Sequence, residues 1–231
     1  MDKLHYQIQD SVCTIHLDDG KVNAMNLVFF EELHAALDQA EKFRCRAVVI
    51  DGREGVFSAG LDLKYMPTLE PAERARFSQT FARAILRLYT LPIPSVAAIA
   101  GHAIAGGAIL AFACDCRYAI DGHYLIQLNE IKNRMALPNW MSLIASTVAA
   151  PATLTQLALH ARAYRPREAF AAQLLTGLAG DGNELNELLQ QCCRDFFEFD
   201  PASYATTKRW MRNGAAEQAL SHLKDVQATL M

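Results

Sequence analysis

The chain has 231 residues, 52% of them hydrophobic and 20% charged, with a formal net charge of −3. This is the composition of an ordinary globular protein with a sizeable core. Its scattered basic residues exclude the cationic stripe of a nucleic-acid binder, so no nucleic-acid partner is expected. Lys208, Arg209 and Arg212 are the densest late basic cluster and read as part of a mixed-sign surface. The six cysteines (Cys13, Cys45, Cys114, Cys116, Cys192, Cys193) show no CxxC pair. A chain of this size needs no covalent staples, so they read as reduced thiols in a cytoplasmic protein. The opening Met1-Asp2-Lys3 leads into no apolar signal core, and the closing Ala228-Thr229-Leu230-Met231 is not a peroxisomal address.

In chain order, Leu4 to Gln9 and Val12 to Leu17 read as a hairpin around Asp10-Ser11. Asn26 is placed to cap a helix on which Phe29, Phe30, Leu33, Ala36, Leu37, Ala40 and Phe43 recur at helical spacing. Ala47 to Ile50 is a short, wholly apolar strand of the kind found where both faces of a parallel sheet are covered. Pro71 to Tyr89 predicts a second helix, Ser95 to Ala100 a second buried strand, and Gly107 to Ala113 a helix start. Between Arg87 and Asp115 only His102 is titratable by charge, but Pro92, Pro94, Gly101, Gly106 and Gly107 divide that stretch. It therefore predicts a buried strand leading into a buried helix, and no membrane span. Beyond about residue 139 the strand signal fades, and residues 177 to 182 read as a turn. The expectation is an α/β core over residues 1–180, followed by a helical C-terminal region over 181–231 that serves oligomerisation.

Three segments could carry chemistry. Phe57-Ser58-Ala59-Gly60-Leu61-Asp62-Leu63 and Gly101-His102-Ala103-Ile104-Ala105-Gly106-Gly107 each place a glycine turn after an apolar strand. Such turns can aim bare N–H groups at a developing anion, or simply permit tight packing. Neither is a dinucleotide or P-loop fingerprint, and Ser58 and Ser95 lack the GxSxG context of a hydrolase nucleophile. Cys114, Cys116 and His123 have poor spacing for a tetrahedral metal site, so no metal is expected. The third segment is Leu128-Asn129-Glu130-Ile131, where Glu130 is the sole acid from Gly122 through Arg167. Apolar neighbours could raise its pKa toward general acid/base work; alternatively it is a surface carboxylate bridged to Lys132 or Arg134.

Taken in this order, the segments resemble the crotonase (enoyl-CoA hydratase/isomerase) superfamily, over about Ser11 to Pro138. Asp19-Gly20-Lys21-Val22-Asn23-Ala24-Met25 is similar to that family's first CoA-contacting loop, and the two glycine turns are similar to its oxyanion-hole turns. The resemblance implies a spiral of ββα units with a helical C-terminal region, assembled as a homotrimer or a dimer of trimers. It also implies an acyl-CoA thioester as partner, with coenzyme A arriving as part of the substrate and no tightly bound cofactor. By the same resemblance the N–H groups of Leu61 and Gly106 bind the thioester oxygen, and Asn23, Ala24, Ala59, Gly60, Leu61 and Asp62 line the CoA groove. The family's hydratases use two glutamates; the first falls three residues beyond the second hole glycine, where this chain has Ile109. The second matches Glu130, and with Leu137-Pro138-Asn139-Trp140 the pattern looks most like the 3,2-enoyl-CoA isomerase branch, which works with one carboxylate. Arg134 stands where that family usually has glycine, and its cation either pairs with Glu130 or folds outward. Hydration, thioester hydrolysis and silent acyl-CoA binding are the alternatives.

Overall fold

In the computed structural model, which describes residues 3–223, the expected hairpin opens the chain. β1 (Leu4–Gln9) and β2 (Val12–Leu17) pair antiparallel with Leu4 opposite Leu17. Asp10 and Ser11 both take positive φ, 49° and 64°, as a two-residue turn with the twist of its strands requires. After β3 (Ala24–Met25), α1 (Leu27–Lys42) is capped by Asn26, whose side chain accepts from Phe29 N at 3.1 Å. Its buried face holds the predicted apolar residues except Phe43, which is the C-cap and exposed. The helix ends one residue too early to turn that ring inward.

The next elements are β4 (Ala47–Gly52), β5 (Gly55–Ser58), β6 (Gly60–Leu61) and α2 (Pro71–Tyr89), then β7 (Ser95–Ile99), β8 (Gly101–Ile104) and α3 (Gly106–Ala113). β9 (Cys116–Ile120) and β10 (Ile126–Gln127) follow, then α4 (Asn139–Val148), α5 (Pro151–Leu154) with a π turn over Thr155–Leu159, and α6 (Pro166–Ala171). β11 (Gly177–Ala179), α7 (Gly182–Phe197) and α8 (Pro201–Ser221) complete the described chain. Each of three successive passes gives one strand to a six-stranded sheet, ordered β1-β2-β4-β7-β9-β11, and one to a three-stranded sheet, ordered β10-β8-β5. The β4–β7, β7–β9, β5–β8 and β8–β10 pairings are all parallel, which makes the chain a spiral of ββα turns.

Alternation along the strands serves two cores. Val48, Ile50, Ala97 and Ile99 face the main core with α1–α4, while Ala47, Val49, Val96 and Ala98 face a smaller one with Leu185, Cys192 and Phe196 of α7. β9 and β11 were not expected from sequence, nor were the short strands β3, β5, β6, β8 and β10, of which β5, β6 and β8 run through the stretches read as glycine turns. β11 lies where a turn was predicted, three residues long and paired with Tyr118–Ile120 of β9. β9 contains Arg117, whose charge breaks the apolar pattern but whose guanidinium donates to Leu174 O and Cys114 O.

Lys208 and Arg212 also depart from expectation. Lys208 is only 5% exposed and donates to Asp115 Oδ2 at 2.7 Å, while Arg212 sits 2.9 Å from Asp115 Oδ1 and donates to Tyr89 O. They are not surface charges but the bolt that fastens α8 to the start of β9; i, i+4 spacing puts both on one helix face. All six cysteines are free thiols, Cys114 capping α3 and Cys116 opening β9. No helix of the described residues is long and apolar enough to cross a membrane. The closing residues 228–231, the opening Met1-Asp2 and the last part of the 181–231 region lie outside the described residues.

Candidate active site

The loop after β2 is built around one carboxylate. Asp19 accepts from the amides of Lys21 and Asn23, both at 2.8 Å, from Ala24 N at 3.1 Å and from Lys3 Nζ at 3.2 Å. Burial pushes its pKa up, but these donors outweigh it and hold the group below the usual carboxylate range. Asn23, at φ 53°, turns its side chain inward to donate to Leu17 O and Phe57 O and to accept from Asp19 N. Thus the Asn23 side chain and the Ala24 amide, both expected along the CoA groove, are already engaged by the loop and the strands beside it. Ser58 ties this loop to the first glycine turn: its hydroxyl donates to Asn23 O at 2.7 Å and accepts from Gly60 N at 3.1 Å.

β3 and β6 then pair in parallel, Ala24 with Gly60 and Met25 with Leu61. Ala59 N donates to Val22 O and Asp62 N to Met25 O, and the Asp62 carboxylate accepts from Lys64 N and Tyr65 N. Because successive amides of a strand point to opposite sides, Asp62 N facing β3 turns the Leu61 N–H the other way. Gly60, at φ 81°, brings the two turns together: a Cβ there would lie 2.8 Å from both Gly106 N and Ile104 O. Gly107 is as tightly placed, since a Cβ would lie 2.3 Å from Ser58 O. Gly106 is the first residue of α3, so its amide is one of the helix's unpaired N-terminal donors and carries the positive end of the dipole. Ala105 before it holds φ 50° and ψ −123° while its N–H donates to Gln127 O at 2.7 Å.

Glu130 follows β10 and begins a short 3-10 turn, Ile131–Asn133, its carbonyl accepting from Asn133 N and Met135 N, both at 2.9 Å. Glu130 is 6% exposed, and its Oε2 is buried without a hydrogen-bond partner; so is Oδ1 of the preceding Asn129. Burial raises the Glu130 pKa, with its own backbone amide pulling the other way. Among the described residues no ion pair reaches Glu130, so the surface carboxylate bridged to Lys132 or Arg134 is not what the chain forms. Arg134 is exposed and occupies the left-handed region at φ 59°, ending the 3-10 turn. That conformation is the physical reason for a glycine at such a position. Ile109, three residues into α3 from Gly106, is fully buried. Ser58, Asp19 and Asn129 were not singled out from sequence as site residues. The signal for Asp19 was its four-residue spacing to Asn23, and only the fold shows what Ser58 bridges. Among the described residues no group of three or more His, Cys, Asp or Glu side chains is placed to hold a metal ion.

A ββα spiral with paired glycine turns at the head of a buried helix is the crotonase fold. Comparison with known proteins agrees: the profile of the enoyl-CoA hydratase/isomerase family matches residues 7–231. The chain belongs to that family, whose members are enzymes acting on CoA thioesters. Among curated relatives, enoyl-CoA delta isomerase 1 of Rattus norvegicus is 29% identical over 221 residues, covering 94% of this chain and 76% of that protein. A putative enoyl-CoA hydratase of Thermus thermophilus is 37% identical over 62% of this chain and 56% of its own length. The match to the human delta isomerase spans only 44% of that protein, at 36% identity and over 56% of this chain. Among solved structures, an enoyl-CoA hydratase/isomerase family protein from Pseudomonas syringae superposes with a TM-score of 0.92 at 27% identity, over 99% of this chain and 98% of that one. An apo enoyl-CoA isomerase from Mycobacterium tuberculosis gives 0.89 at 29% identity, over 100% and 99%.

Proposed function

We propose that this chain is a 3-enoyl-CoA to 2-enoyl-CoA isomerase of fatty-acid metabolism. The observation that carries the reading is Glu130, a buried carboxylate without a cation, on a site where Ile109 occupies the position of a second acid. One carboxylate suffices for a double-bond shift. Glu130 takes a proton from the α carbon, the amides of Leu61 and Gly106 hold the thioester oxygen as negative charge develops, and the same acid returns the proton at the γ carbon. Each such amide typically lowers the barrier by about 3 kcal/mol, and a pKa raised by burial suits a group that must both give and take a proton. Water addition would need a second group to orient and activate water, and isoleucine cannot supply it.

In this reading CoA lies along the Asn23-Ala24 loop and the Ala59–Asp62 turn, held by backbone groups and side-chain stems because the polar groups described above are already engaged. The region 181–231 serves assembly of a homotrimer or a dimer of trimers, supported by Trp210 at 78% and Met211 at 73% exposure on adjacent positions of α8. Separate incubations with 3-hexenoyl-CoA and 2-hexenoyl-CoA test the chemistry. Conversion of the first to the 2-enoyl product is expected, and hydration of the second without any shift of the first would overturn the reading in favour of a hydratase.

A further inference from the structure

A thioester whose oxygen rests on the Gly106 amide must run its carbon chain past the walls around that amide. One of those walls is aromatic. A Cβ on Gly106 would lie 3.0 Å from Phe81 Cζ and 3.6 Å from Met25 Sδ, so both side chains already crowd the side of Gly106 on which a Cβ would stand. Phe81 in turn meets the Trp140 ring edge-on at 4.8 Å, and Trp140 lies in the first turn of α4, ten residues beyond Glu130. The pair thus spans from the segment that would bind the oxygen to the segment that follows the base. Phe81 sits in an aromatic cluster. Phe81 is stacked on Phe30 at 5.2 Å, Phe30 lies 5.7 Å from Phe77, and Phe77 meets Tyr65 edge-on at 5.8 Å. Trp140, Phe81, Met25 and Ile109 are all buried. Two hollows elsewhere on the molecule, one over the β1–β2 face and one between Cys45 and Tyr204, lie away from this wall.

We propose that Phe81 and Trp140 close the acyl end of the Gly106–Glu130 site and make it specific for short-chain enoyl-CoA thioesters. The inference rests on the reading of Gly106 as the thioester donor. In an open apolar pocket each added methylene tightens binding about fourfold, so four more would tighten it on the order of a hundredfold. Against a close-packed wall they gain nothing, because extra volume in a filled core costs more than burial returns.

The test is calorimetric titration of the full chain with butyryl-, hexanoyl- and decanoyl-CoA, for the wild type, Phe81→Ala, Phe81→Leu and Trp140→Leu. The wild type is expected to bind decanoyl-CoA no more tightly than hexanoyl-CoA. Phe81→Ala is expected to shift that ratio at least tenfold toward decanoyl-CoA, with Phe81→Leu, the variant most certain to fold, shifting it about fourfold. Wild-type binding of decanoyl-CoA tenfold tighter than hexanoyl-CoA would overturn the proposal by showing that the chain leaves along another path. An unchanged ratio in the folded variants would overturn it too, as would failure to bind any acyl-CoA. Saturated thioesters need no turnover, so a chain that failed to isomerise 3-hexenoyl-CoA but kept this length profile would refute the isomerase reading and leave the wall in place.

Discussion

Glu130 and Asp115 are both carboxylates taken out of water, and their surroundings push them in opposite directions. Asp115 accepts from Ser95 N at 2.8 Å, Ser95 Oγ at 3.0 Å and Lys208 Nζ at 2.7 Å, with Arg212 at 2.9 Å. Burial alone would raise its pKa, but the two cations win and hold it below the usual range. Lys208 is pulled below the ordinary ammonium range by the same burial, which attraction to Asp115 only partly offsets. Glu130 has the burial without the cations, and its pKa rises. An acid with both oxygens answered fixes a helix to a sheet. A buried acid with an unanswered oxygen costs stability, and that cost is intelligible where a proton has to move.

The sharpest way to break the comparison is to neutralise each acid. Glu130→Gln is expected to lower the isomerisation rate about a thousandfold, roughly 4 kcal/mol of barrier, while the protein stays folded and gains stability at neutral pH. Steady-state rates and thermal unfolding of one preparation check both halves; an unaffected rate would remove Glu130 from the mechanism. Asp115→Asn should do the reverse in kind, costing about 3 kcal/mol of stability because it strands the buried Lys208 and the half-buried Arg212. Denaturant unfolding measures that loss, and a change of only a few tenths would mean the bolt at α8 is solvated.

pH separates the two acids again. A raised pKa means the folded protein holds the Glu130 proton where the unfolded chain has released it, so this group's contribution to stability falls as pH rises through that window. Asp115 has a lowered pKa, so its contribution is present above the ordinary carboxylate pKa and is lost as pH falls through the folded value. Unfolding curves from pH 3 to 8 on wild type, Glu130→Gln and Asp115→Asn should show slopes of opposite sign in the two difference curves. Activity should fall toward acid on a single group, at a pH above the ordinary glutamate range, as the base becomes protonated.

The two carboxylates also differ in how far the sequence betrays them. Glu130 was visible as a lone acid in an apolar stretch, beside turns whose glycines announced close backbone approach, and the hairpin, α1, α2, β4 and β7 followed from periodicity. Asp115 was not visible, because its two cations lie 93 and 97 residues away on a helix whose Lys208, Arg209 and Arg212 look like solvated surface charges. β9 was hidden for the same reason: Arg117 reads as exposed until the carbonyls of Cys114 and Leu174 are seen to receive it. β11 is too short to carry a period. Asn23 was legible as a residue of the loop but not in its orientation, since only the fold brings Leu17 O and Phe57 O to its amide. Patterns of one element survive in sequence, whereas a polar group answered from another element does not.

The smallest effect concerns the turn that joins the site's two halves. Ala105 holds φ 50° and ψ −123°, a region that L residues pay roughly 1–3 kcal/mol to occupy and glycine enters freely. Its N–H is tied to Gln127 O and its carbonyl accepts from Ile109 N, so the conformation is imposed from both sides. Ala105→Gly removes the strain but gives the unfolded chain more freedom, worth about 0.4–1 kcal/mol in the opposite direction. Strain relief outweighs that loss, and a net gain of about 1 kcal/mol is expected, read as a raised denaturant midpoint with an unchanged slope. The kinetic constants should be nearly unaltered, because the Gly106 amide is already held in place. A drop in rate with the gain in stability would instead show that the strained alanine, and not the hydrogen bonds around it, holds that amide at the angle the proposed thioester contact needs.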